Sequence, residues 1–266
     1  MAPPTSLQEL ATRAREQREL IRKFITDLNG SSNQHSNSVG PLPGAVDQLS
    51  DPTFECTLPF PFVGSEAPVR FKVVEGNWQY VGRTKFKELF QELRKVQGSG
   101  DYSTVWLYGT QGYGKSHLLT ALVCYLAAQD VQVVYISGCR VLLENPVEYV
   151  QAAMLFAWAD DINIQEEIMT LRTEDEIEAF FKCQRNVLVV AEQLNAMTGS
   201  NSPSEEAKDR ANLHRWLMRF TSKHIAVFSS SANYKEYIDK SKKQTSNCVV
   251  RVYGGLERVS HHKIML

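Results

Sequence analysis

From residue 109 to 116 the chain reads Gly109-Thr110-Gln111-Gly112-Tyr113-Gly114-Lys115-Ser116, and this octet restricts the fold more than any other stretch. An apolar run, 104–108 (Thr-Val-Trp-Leu-Tyr), precedes it, and Leu118, Leu119, Ala121 and Leu122 follow at helical spacing. A strand, a glycine-rich turn and a helix in that order make a phosphate-binding loop. The glycines let backbone N–H groups turn inward, and the helix N-terminus adds partial positive charge. Lys115 would then reach the β- and γ-phosphates of a nucleoside triphosphate, and the Ser116 hydroxyl would ligate Mg²⁺, with His117 beside them. ATP and Mg²⁺ are the expected cofactors.

Such a loop needs a sheet to carry it. From about residue 69, short apolar runs at 104–108, 132–136, 187–191, 224–228 and 248–252 alternate with helical stretches near 115–129, 146–158, 174–184 and 205–222. That alternation predicts an α/β fold, a five-stranded parallel sheet with helices on both faces. The loop's chemistry also asks for an acid at the end of a neighbouring strand, to hold the Mg²⁺ shell, and often for a second acid to orient water. The run 187–191 ends in Glu192-Gln193-Leu194-Asn195. Either Ala191 stands at the metal position and Glu192 orients water, or Glu192 holds the metal and Gln193 faces the water. In both alignments hydrolysis should be slow, because Gln orients water without taking its proton.

Other positions could border the nucleotide. Val81-Gly82-Arg83 lies one helix before the loop, where Val81 would pack on the base and Arg83 would lie near ribose or phosphate. Ser229-Ser230-Ser231-Ala232-Asn233 follows the strand 224–228 at the carboxyl edge, where open α/β sheets bind ligands; Ser230 or Asn233 could sense the γ-phosphate. Arg140, Arg215, Arg219 and Arg251 are further candidates to meet phosphate.

The N-terminal part reads differently. Ser6 and Glu9 form a capping box, and Leu7, Leu10, Ala14, Ile21, Phe24 and Leu28 keep a 3-4 repeat interrupted by Gln17. Residues 1–29 are thus an amphipathic helix that either docks on its own domain or pairs with a protein partner. Residues 30–68, which open Gly-Ser-Ser-Asn-Gln-His-Ser-Asn-Ser, read as a flexible linker, and 69–266 as the nucleotide-binding domain. A net charge of -1 gives no global pull toward nucleic acid, and five scattered cysteines suit a reducing compartment. No run is long enough to span a membrane, and the first residues lack an apolar signal core, so an intracellular chain is expected.

Several segments together resemble one family. Trp106 through Leu119, Val134-Tyr135-Ile136 with Cys139-Arg140, Glu192-Gln193 with Leu194-Asn195-Ala196-Met197, Ser230-Ser231-Ala232-Asn233 and Tyr253-Gly254-Gly255-Leu256 are similar to the P-loop domain of crinkler effectors, shared with retrotransposon hot spot proteins. The resemblance spans roughly 78–258. It implies a P-loop NTPase of the additional-strand (ASCE) type, a slow ATPase acting as the switch module of an effector, and by family alone a possible link to nucleic acid. The family pattern Asp-Gln-hydrophobic-Asn-Ala maps its Asp onto Glu192 and its Gln onto Gln193, which favours Glu192 as the metal acid. A nucleotide-holding module without turnover and a P-loop kinase are the competing readings.

Overall fold

The computed structural model describes residues 6–30, 44–64, 67–99, 104–197, 205–231 and 247–252. Five strands, β3 (Thr104–Gly109), β4 (Val133–Ile136), β5 (Leu188–Ala191), β6 (Ile225–Ser231) and β7 (Asn247–Val252), pair in parallel in the order β4-β5-β6-β3-β7. Strands β4 and β5 are buried along their whole length, as strands flanked by helices must be, whereas the edge strand β7 exposes Arg251. One strand, β6, separates β3 from β5, so the loop after β3 and the acid after β5 face each other across its end.

The helices of the sheet match the apolar stretches: α4 (Lys115–Ala127), α6 (Pro146–Ala157), α8 (Glu174–Cys183) and α9 (Glu205–Thr221). Between α6 and α8 lies a further helix, α7 (Ile162–Thr170), which starts at an Asp161 cap accepting from the Ile164 N–H at 3.1 Å. Ahead of the sheet come α1 (Leu7–Gly30), α2 (Ala45–Ser50), an antiparallel hairpin of β1 (Glu55–Pro59) and β2 (Asn77–Val81), and α3 (Lys85–Ser99); α5 (Cys139–Leu142) is a single turn.

This placement corrects the domain division expected above. Residues 44–64 are not a linker: Ala45, Leu49, Leu58, Phe60, Phe62 and Val63 are buried in the core cluster that also holds the sheet. The Ser- and Pro-rich composition hid them, although apolar residues recur there often enough to be buried. Residues 31–43 lie outside the described residues. The apolar seam of α1 docks on its own chain. Leu10, Ala11, Ala14, Ile21 and Ile25 pack onto α4 and α6. The capping box forms, with the Ser6 N–H donating to Glu9 at 2.9 Å and the Glu9 N–H to Ser6 Oγ at 3.2 Å.

The polar residues in that seam are fastenings. Gln17 Nε2 donates to the carbonyls of Phe60 (3.1 Å) and Gly76 (3.0 Å), tying α1 to the hairpin. Arg18, 1 % exposed, donates to the carbonyls of Phe156 (3.3 Å), Ala157 (2.8 Å) and Val131 (3.2 Å) and pairs with Asp160 at 3.1 Å. The last carbonyls of α6 are short of intrahelical donors, and the buried guanidinium adds to the N–H groups of Trp158 and Ala159 that reach Phe156.

Candidate functional site: a phosphate loop facing a buried carboxylate

The loop after β3 has the backbone its glycines require. Gly112 and Gly114 lie at φ +86 and +77, and the Arg83 guanidinium fills the space a Cβ on Gly114 would need, at 2.5 Å. Lys115 Nζ donates to the carbonyls of Gly109 (2.6 Å) and Thr110 (2.8 Å), folding its ammonium back across the loop. Burial lowers the Lys115 pKa, and the charge of Glu192 works against that shift. Around this centre, Thr110 and Tyr113 are partly buried, Gln111 and Gly112 are exposed, and Gly109 packs against the Val252 carbonyl of β7.

Glu192 is the first residue beyond β5, its N–H still bonded to the Ile136 carbonyl of β4 at 2.9 Å. Its carboxylate is fully buried. Tyr135 donates to Oε1, Arg70 Nη2 donates to Oε2 at 3.0 Å, and the Ser116 hydroxyl lies near enough to stabilise its charge. Burial pushes the Glu192 pKa up, while Arg70, Ser116 and Tyr135 pull it down. Tyr135 is itself linked to Thr120 of α4 at 2.6 Å, so the acid is tied to the loop's helix through a neighbour. Serine hydroxyl and carboxylate stand side by side, and two hard oxygen donors fit Mg²⁺.

Gln193 takes φ 59, an unfavourable backbone for a residue with a Cβ, while its N–H donates to Ser229 Oγ at 3.3 Å. Ser230 is buried with its hydroxyl unpaired among the described residues; Asn233 lies outside them. Of the other candidates, Arg83 touches the loop at Gly114, and its Nε is buried without an acceptor among the described residues. Val81, partly buried, ends β2. His117 packs between Phe71 (5.2 Å between ring centroids) and Trp78 (5.4 Å), and burial with Arg83 and Arg70 nearby lowers its pKa to about 4. Arg219 is spent on Glu178, at 2.9 Å.

Two participants escaped the sequence reading, Arg70 and Tyr135. Tyr135 had a signal: a tyrosine inside an otherwise aliphatic buried strand needs a partner for its hydroxyl. Arg70 had none, because it sits on a short turn, Val69–Phe71, in a stretch without periodicity.

The turn between β2 and α3 depends on Gly82. A Cβ there would come within 2.0 Å of the Asp51 carbonyl oxygen, and the Gly82 N–H bonds the Phe54 carbonyl at 2.8 Å. Because the obstacle is backbone, Gly82→Ala should destabilise the fold by about 3 kcal/mol and displace Arg83 from the loop. The midpoint of urea unfolding reads this directly, and an unchanged midpoint would show that the approach of residues 51 and 82 is dispensable.

No family model matches the chain, and none of the curated proteins does. Among solved structures it is similar to a chain in the structure of Drosophila ORC bound to DNA, at 13% identity and a TM-score of 0.37. The likeness covers 63% of this chain and 42% of that one, so this chain corresponds to less than half of its neighbour's length. A superposition of that extent carries no functional argument, and the site stands on its own residues. Among the described residues no helix is long and apolar enough to cross a membrane.

Proposed function

We propose that this chain is a nucleotide-binding protein of the additional-strand P-loop class, which holds ATP on the 109–116 loop and hydrolyses it slowly. The observation that carries the reading is the meeting of Lys115, Ser116 and Glu192 at the carboxyl edge of the sheet, with β6 interposed between β3 and β5. The loop N–H groups and Lys115 would bind the β- and γ-phosphates, Arg83 would lie beside the loop, and Ser116 with Glu192 would hold Mg²⁺. When bound, Mg²⁺ supplies neutralisation of phosphate charge. Gln193 would orient water by hydrogen bonding, and nothing at that position accepts its proton. The motifs similar to crinkler effectors agree with such a switch module.

Turnover is the discriminating measurement. Single-turnover hydrolysis with protein in excess over ATP should be slow in the wild type, and Gln193→Glu, which adds a proton acceptor, should raise it about 100-fold. Tight binding with no hydrolysis in either form would favour a second reading, a module that holds nucleotide without consuming it. The full burial and pairing of Glu192 is what favours that reading.

A further inference from the structure

The phosphate site already contains a cation. Arg70 Nη2 lies 3.0 Å from Glu192 Oε2 and also bonds the Ser137 carbonyl, so the guanidinium bridges the ends of β4 and β5. Its position is built in. The guanidinium carbon stacks 4.9 Å over the ring of Phe71, and Phe71 is buried against Phe60, Trp78 and His117. The turn is closed by Phe71 N–H to Pro68 carbonyl (3.0 Å) and Lys72 N–H to Val69 carbonyl (3.1 Å).

Both oxygens of Glu192 therefore hold donors, and one donor is a full positive charge on a side chain anchored by aromatic packing. A divalent ion entering beside Ser116 would meet that charge across one carboxylate, and like charges so close disfavour joint occupancy. At the same time Arg70 Nε and Arg83 Nε are buried with no acceptor among the described residues. Two unspent guanidinium donors near the loop are what a phosphate oxygen would satisfy.

We propose that Arg70 and Mg²⁺ are alternative partners of Glu192, and that Arg70, as the resident cation, lets the protein bind a nucleoside triphosphate without needing the metal. This rests on the phosphate-loop reading and adds a binding residue to it. Arg70 neutralises Glu192, which would otherwise repel the γ-phosphate, and offers its free N–H to the anion.

The test is equilibrium binding of a fluorescent ATP analogue to the full chain, in Mg²⁺ and in EDTA. Wild-type affinity should change less than about threefold between the two, whereas Arg70→Gln should bind at least about tenfold more weakly in EDTA than in Mg²⁺. Arg70→Lys keeps the charge without the guanidinium and should lose less affinity in EDTA than Arg70→Gln, which separates the cation from the packing of the turn. Electron paramagnetic resonance of Mn²⁺ supplies a second readout: the R70Q–nucleotide complex should hold the ion more tightly than the wild-type complex. A wild type that needs Mg²⁺, or an R70Q protein that stays indifferent to it, would overturn the proposal while leaving the phosphate loop intact. Absence of nucleotide binding by the folded wild type in both buffers would instead overturn the phosphate-loop reading, and this proposal with it.

Discussion

Lys115→Ala should weaken ATP binding by about 100-fold or more while leaving the protein folded. In the structure the ammonium makes two hydrogen bonds, both to carbonyls of its own loop, so it ties the loop to no other element. Fold stability should therefore change little. Binding should change greatly, because Lys115 is the flexible cation of the loop itself and can swing from Gly109 and Thr110 to the phosphates with no backbone rearrangement. Fluorescence titration measures the loss and a thermal melt checks the fold. A variant that binds ATP as the wild type does would remove the basis for assigning residues 109–116 to phosphate.

The second large effect concerns α1. Deleting residues 1–30 should abolish cooperative unfolding and leave a chain that binds a hydrophobic dye, since the faces of α4 and α6 beneath α1 would be opened to water. Polar bonds add to the loss: without Arg18, the carbonyls of Phe156, Ala157 and Val131 lose a charged donor. Arg18→Met, close in volume but without donors, should alone cost about 3 kcal/mol, read from the denaturation midpoint. A truncated chain with a sharp, reversible melt would show that α1 is an accessory to the core.

Contrasting α1 with the sheet shows what can be read from residues alone. The five strands were legible because buried parallel strands must be continuous apolar runs; four lie within a residue of the run that announces them, and β6 continues three residues further, to Ser231. The turn from β3 into α4 was legible because a tight strand-to-helix connection demands glycines at fixed spacing, here Gly112 and Gly114. Gln17 and Arg18 were not, because polar residues in an apolar seam have the same appearance whether they weaken a coiled coil or satisfy carbonyls far along the chain. The hairpin of β1 and β2 hid for a related reason: β1 is five residues, Glu55 to Pro59, and only its last two are buried. At Glu192 the residues allowed two alignments. The contact with Ser116 depends on how β5 ends against β4, which spacing does not encode. The Arg70 contact links residues 122 apart in sequence, through a turn that no local pattern marks.

The fastening of α1 also bears on how the molecule is made. On a ribosome, α1 leaves the exit tunnel long before its binding surface exists: the carbonyls that receive Arg18 belong to residues 131, 156 and 157, and its ionic partner is residue 160. Until more than half of the chain has emerged, the nascent protein carries an amphipathic helix with an unsatisfied apolar face, a species that chaperones capture and that aggregates when they are scarce. Docking of α1 is then a late step, closing contacts of long sequence separation after the sheet and α6 have formed, and such contacts slow folding. Synthesis rate and chaperone supply should accordingly limit the yield of soluble protein more than the stability of the finished fold does.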